Sequence, residues 1–242
     1  MTEPTIEAAA LLHKALRRLK GIADQQGTVL YSGHSTLAQG EFYLMGYNPG
    51  GSTGARENTI WHSLASLEAH KNAYTREKWA DGGRSVLQER VCRLLAILER
   101  QAESILTTNA LFTRSRTADA VEGGWDLWWD HCWPVHQLLL AAVRPRLIIS
   151  MGRQTTELLR CTTKYTERRV PWNWAESDQI RIGPARLVPR VSFMLDERQS
   201  HTCAVLGLPH PSPRVPEGWD EDELKAAITG ALDKLLQLDL AP

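Results

Sequence analysis

Residues 145–159 read PRLIISMGRQTTELL, and this stretch decides the fold. Its near-continuous apolar run is too short for a helix and reads as a buried strand. A Met-Gly turn follows, and then a helix that begins near Gln154. A strand without polar alternation is covered on both faces, which is the condition of a parallel sheet. Strand, turn and helix in sequence make half of a β–α–β unit.

Working outward, three more apolar runs end in turn-like residues: EFYLMGYNPGG at 41–51, SILTTNALF at 104–112, and CAVLGLPHPSP at 203–213. Helical patterns lie between and around them. Leu12, Leu16, Leu19 and Ala23 recur at helical spacing within residues 5–24, and longer patterns cover 84–103, 129–143 and 219–238. The expected fold is α/β, a three-layer α/β/α sandwich around a central four-stranded, mostly parallel sheet. No linker or repeat divides the chain, so residues 1–242 are expected to form one domain. Residues 114–134 and 160–200 read as irregular and rich in Trp or Arg. Trp125, Trp128 and Trp129 share helical spacing, which suits a face packed on the core, although a base-stacking platform is the other use of such residues.

Composition narrows the function. The 28 basic and 28 acidic residues cancel, so no global field advertises a polyanionic partner. The balance is uneven, because residues 140–200 are net basic and residues 215–242 net acidic. Cys92, Cys132, Cys161 and Cys203 are scattered without a CxxC pair, which argues against zinc, an iron–sulfur cluster or a disulfide framework. No metal and no cofactor are expected. Reduced thiols, an N-terminus too charged for a signal sequence, and no apolar run of spanning length suit a cytoplasmic protein off the membrane.

All four polar turns follow the carboxyl ends of strands, where ligands bind in open parallel sheets. Two of them, GYNPGG at 46–51 and HPSPR at 210–214, lie about 160 residues apart and meet only if the sheet aligns those ends. With these motifs the chain resembles the uracil-DNA glycosylase superfamily. GYNPGG resembles the Gly-x-Asn-Pro-Gly motif of its mismatch-specific and single-strand-selective branches. HPSPRVPEGW at 210–219 is similar to the last motif of the single-strand-selective branch. ILTTNALFTR at 105–114 resembles the strand ending in a base-reading Asn, and LIISMG at 147–152 the strand packed beside the site. The four occur in the family's order.

The resemblance implies a monofunctional DNA glycosylase, with DNA as partner and a monomer expected. Breaking an N-glycosidic bond leaves positive charge on the sugar and negative charge on the base, so the site needs a donor to the base, a placed water and a grip on the flipped nucleotide. His210 is the expected donor. Asn48 orients the water, since an amide takes up no proton near neutrality. Asn109 reads the base edge, and its amide suits uracil in one orientation and cytosine in the other. Gly46, Tyr47, Gly50 and Gly51 frame the base. In the highly uracil-specific branch a Tyr crowds the C5 side; Gly50 and Gly51 leave that wall empty, which admits 5-substituted pyrimidines. Asn48 in place of that branch's Asp suggests slower chemistry. Ser212 is expected to clamp a phosphate, Arg214 to wedge into the gap left by the flipped base, and Arg114, Arg116, Arg168 and Arg169 to contact DNA phosphates. No Lys occurs in any motif, so lyase chemistry is not expected.

Two other readings compete. One is an anti-phage defence enzyme that excises hypermodified cytosine, such as a glucosylated hydroxymethyl form. The other is a non-catalytic DNA-binding protein with the same fold. A nucleotide-binding oxidoreductase is disfavoured because no GxGxxG opens a helix.

Overall fold

A computed structural model describes residues 3–50, 59–117, 121, 123–162, 176–212 and 220–239. The expected sites Gly51, Arg168, Arg169 and Arg214 lie outside these residues.

The first helix, α1 (Ile6–Arg18), begins at Thr5, whose hydroxyl accepts from the Ala8 N–H. The strand β1 (Phe42–Gly46) follows, buried at every position. Two short helices, α2 (Ile60–Ala65) and α3 (Ala73–Arg76), precede α4 (Val86–Ile97). A reciprocal capping box starts α4: Ser85 accepts from the Gln88 N–H while the Gln88 side chain accepts from the Ser85 N–H. After β2 (Leu106–Asn109) the chain runs through α5 (Gly124–Leu127) and a wide helical turn, Trp128–Cys132, into α6 (Trp133–Val143). Then come β3 (Leu147–Met151) and α7 (Arg153–Arg160), the unit read from PRLIISMGRQTTELL. The remainder is β4 (Ile180–Ile182), β5 (Ala185–Met194), β6 (Ser200–Leu208) and α8 (Glu221–Asp239).

The sheet has six strands in the order β2-β1-β3-β6-β5-β4 and is mixed, which corrects the expectation of four. The four anticipated strands do form a parallel array. Tyr43 pairs with Leu106, Phe42 with Leu147, and Leu147 with Ala204. The extra pair comes from the segment read as irregular: β5 joins β6 antiparallel, and β4 joins β5 antiparallel. Val191 and Phe193 face inward while Ser192 and Met194 face outward, a half-buried alternation. Pro189 has no N–H for a ladder, and the register shifts between Val188 and Val191 to accommodate it. Proline and arginine thus masked a strand that binary patterning alone would have shown.

Period-two burial splits the core in two. Tyr43, Met45, Ile148, Val205 and Phe193 face α1 and α6. Phe42, Leu44, Ile149 and Leu206 face α4 and α8, meeting Val91, Leu94, Ile228 and Ala231. Each fully buried Leu, Ile or Phe contributes about 1.5–3 kcal/mol. Trp128 and Trp133 are fully buried, with ring centroids 5.3 Å apart, and Trp129 is partly buried against the same core, while Trp125 stays exposed. The β1–β2 crossover lays α4 on one face and the β2–β3 crossover lays α6 on the other. Their loops therefore part at the carboxyl end of β1, the position where open sheets form a crevice.

Candidate active site

A cleft of about 680 Å³ opens at that edge. Gly46, Tyr47, Asn48 and Gly50 line it from the end of β1, Asn109 and Arg114 from β2, Met151 from β3, and His210 from β6. The turns separated by about 160 residues therefore share one site. Arg116 is exposed and is not part of the cleft wall. Ser212 is half-buried beside His210.

Gly46 and Asn109 are partners on the last rung of the β1–β2 ladder. The ladder continues past the strands, with the Ala110 N–H donating to Gly46 O and the Leu111 N–H to Tyr47 O, each at 2.8 Å. A Cβ on Gly46 would stand 2.2 Å from Asn109 Oδ1, so only glycine leaves room for the buried amide to lie across the strand end. Below the site, Tyr43 Oη and His136 Nδ1 are 2.7 Å apart, and His136 Nε2 is 2.9 Å from Ala110 O. The carbonyl can only accept, so Nε2 carries the proton and Nδ1 accepts from the tyrosine. Burial lowers the His136 pKa from 6.5 to about 4. A neutral, fully buried imidazole thus pins the chain just after Asn109.

Asn48 is held by its nitrogen. Its Nδ2 donates to Pro49 O at 3.0 Å and to Ser115 Oγ at 2.8 Å. The Ser115 hydroxyl spends its one proton on Thr117 O at 2.5 Å, so it can only accept from Asn48. Both partners are acceptors, which orients the amide and leaves Oδ1 as its end for a water or ligand donor. Arg114 reaches across the same turn, where its Nη1 donates to Gly50 O. Among the described residues, Arg114 Nε is buried without a hydrogen-bond partner. A Cβ on Gly50 would meet nothing within 4 Å, so that wall is open.

His210 is oriented in the opposite sense. Its Nδ1 accepts from the Ser212 N–H at 3.1 Å, which leaves the proton of the neutral ring on Nε2. Burial pulls its pKa below 6.5, favouring that neutral form. The imidazole lies over Gly152, where a Cβ would be 3.0 Å from Cδ2, and Gly152 itself has φ +93°. From α4, Arg90 Nη1 donates to Ser212 O at 2.8 Å and to Pro211 O at 3.4 Å, fixing the turn that carries His210.

The lining also includes Tyr31, Tyr74, Trp79, Lys71, Glu68 and Glu77. Lys71 Nζ lies 2.9 Å from Glu77 and 3.9 Å from Glu68. Tyr31 is pushed up to about 12 by burial, against the pull of Arg114 and a hydrogen bond with Asn109. None of these residues was singled out in the sequence. Tyr31 belongs to no strand, and its neighbours Leu30 and Ser32 are held by isolated bridges to Thr108 and Asn72. Such contacts leave no periodic signal.

Chemically, the cleft offers an acceptor on Asn48, a neutral donor on His210 and a two-sided amide on Asn109. Its carboxylates are already engaged by Lys71, so charge is managed by oriented hydrogen bonds rather than by a strong base. Among the described residues, no group of three or more His, Cys, Asp or Glu is placed to hold a metal ion, and no helix is long and apolar enough to cross a membrane. All four cysteines are free thiols. No protein-family model matches the chain, and no curated protein matches it.

Proposed function

We propose that this protein is a monofunctional DNA glycosylase that hydrolyses the N-glycosidic bond of a flipped uracil or 5-modified pyrimidine. The observation that carries the reading is the convergence of Asn48, Asn109 and His210 on one cleft, with the protonation of His210 and the orientation of Asn48 each set by its neighbours. The flipped base lies between Asn109 and His210. As the bond breaks, its electron pair passes to the base, and His210 Nε2–H donates to the base oxygen that gains negative charge. A donor of this kind is typically worth ~10²–10³ in rate. Asn48 Oδ1 holds a water against the developing sugar cation. That water gives the sugar its new hydroxyl and releases its proton, which balances the base that departs. Arg114 and Arg116 are assigned to phosphates, and the protein acts as a monomer.

Lys71 lines the cleft, but its ammonium is engaged by Glu77 and Glu68, which supports simple hydrolysis and an intact abasic product. A second reading, excision of a bulky hypermodified cytosine in defence against phage, is favoured by the open space at Gly50 and by a cleft far larger than a pyrimidine. Incubating the protein with single-stranded and duplex DNA bearing a panel of modified bases, with the released base identified by mass spectrometry, tests both. A free pyrimidine is expected, and its identity chooses between the readings. DNA binding without release of any base across the panel would instead indicate a non-catalytic binding protein.

A further inference from the structure

One wall of the cleft carries no step of that hydrolysis, although its Tyr31 is hydrogen-bonded to Asn109. Tyr31 stacks on Tyr74 at 5.3 Å and 26°, and Trp79 stands edge-on to both, at 5.7 Å and 5.0 Å. Trp79 is anchored to an unusual degree. Its Nε1 donates to Glu77 Oε2 at 2.8 Å, and Lys71 holds the other oxygen of that carboxylate at 2.9 Å. Its backbone N–H donates to Gln88 Oε1 at 3.1 Å, while Gln88 Nε2, fully buried, donates to Glu77 O at 2.8 Å. Yet the residue remains 36% exposed. Trp128 and Trp133 show what an indole recruited only for packing looks like here, since both are fully buried.

A rigid, exposed indole beside a ligand cleft is a preorganised flat surface, and little entropy is lost when something stacks on it. The cleft's 680 Å³ falls in the range that holds drug-sized ligands, more than one pyrimidine fills. The occupant most readily delivered to the remaining space is the nucleotide covalently next to the flipped one. Its phosphate is not what this wall recognises, because Glu68, Glu77 and Lys71 together carry one net negative charge. The π-face of its base is, because stacking on an aromatic ring is indifferent to base identity and needs no cation.

We propose that Trp79, backed by Tyr31 and Tyr74, is a stacking platform for the nucleobase adjoining the flipped nucleotide, so that the protein grips DNA in which that neighbour is unstacked. The inference rests on DNA being the ligand of the cleft. It goes beyond the hydrolytic reading by assigning a second base-binding subsite and a preference for unpaired strands.

The test uses binding, so it needs no catalysis. Short single-stranded oligonucleotides with a central uracil carry either thymines or base-free tetrahydrofuran spacers on both sides of it. Fluorescence anisotropy is measured with the wild-type protein, Trp79→Leu and Trp79→Phe. The wild type is expected to prefer flanking bases by roughly tenfold. The Leu variant should lose most of that preference, and the Phe variant, which keeps a flat ring, should retain most of it. Photo-crosslinking from 5-iodouracil placed beside the central uracil, mapped by mass spectrometry on the unmodified protein, should reach Trp79 and does not depend on any variant folding. The platform is refuted if the wild type binds the two oligonucleotides equally, if neither is bound, if the Leu variant keeps the full preference, or if crosslinks avoid residues 74–79. Preferential binding without base release would overturn the hydrolytic reading alone, and base release without the preference would overturn the platform alone.

Discussion

Gly46 and Asn109 occupy opposite sides of one rung, and the position a Cβ would take on Gly46 is already held by the Asn109 amide oxygen, at 2.2 Å. One residue's lack of a side chain is therefore the other's room to act. Gly46→Ala should push the amide out of register while leaving the parallel ladder intact. The expected result is a fall in base release of tenfold or more, with a modest loss of stability, about 1–3 kcal/mol as for other overpacked sites. Single-turnover rates beside a thermal melt check it, and an active Ala variant would show that Asn109 does not read the base.

Asn48→Ala and His210→Ala should each depress base release at least tenfold while DNA affinity survives, because both groups act mainly in the transition state. Ser115→Ala provides a graded companion. It removes the acceptor that orients Asn48 and should lower the rate less than deleting the amide itself.

The pH dependence follows from the protonation of His210. Its Nδ1 accepts from the Ser212 N–H, so a second proton there would face a donor and dismantle the turn. Burial sets the pKa below 6.5. The rate should therefore stay level as pH falls to 6.5 and drop only below it, with an inflection that is absent from the residual activity of His210→Ala.

Gly50→Tyr should select against C5-substituted bases. Nothing within 4 Å opposes a Cβ at Gly50, so the ring can be accommodated and closes the open wall. Overpacking of ~1–3 kcal/mol translates to a roughly ten- to hundredfold fall on a 5-modified pyrimidine relative to uracil. The ratio of the two rates is the measurement, since a folding defect would lower both. An unchanged ratio would remove the case that this wall faces C5.

His136 predicts an acid limit on stability. Unfolded, its imidazole takes up a proton near 6.5; folded, only near about 4. Unfolding therefore binds a proton in that window, and stability falls as pH falls through it, by roughly 3 kcal/mol in all. Denaturant melts between pH 7 and 4 should show this slope in the wild type. A slope that survives unchanged in a folded His136→Gln variant would assign it to other groups.

The sequence by itself determined the four parallel strands and the ends at which their polar turns lie. Runs such as FYLMG and LIISM are buried on both faces, and double burial is written directly into composition. The resemblance of GYNPGG, ILTTNALFTR and HPSPR to one family's motifs also marked Asn48, Asn109 and His210, which the fold brings to one cleft. The tertiary structure decided the rest. Strands β4 and β5 were hidden because Pro189 interrupts the alternation of β5 in its middle, and the pairing of β5 is settled by β6 and β4 rather than by its own residues. Tyr31, Trp79 and Arg90 were hidden because they reach the site through ring contacts and side-chain hydrogen bonds with residues from other segments, and such contacts impose no period on the chain. Which nitrogen of His210 keeps its proton, and which end of Asn48 faces the cleft, were likewise beyond the sequence. The first depends on the turn that brings the Ser212 N–H back to His210 Nδ1, and the second on Pro49 O together with Ser115, which only folding places within reach.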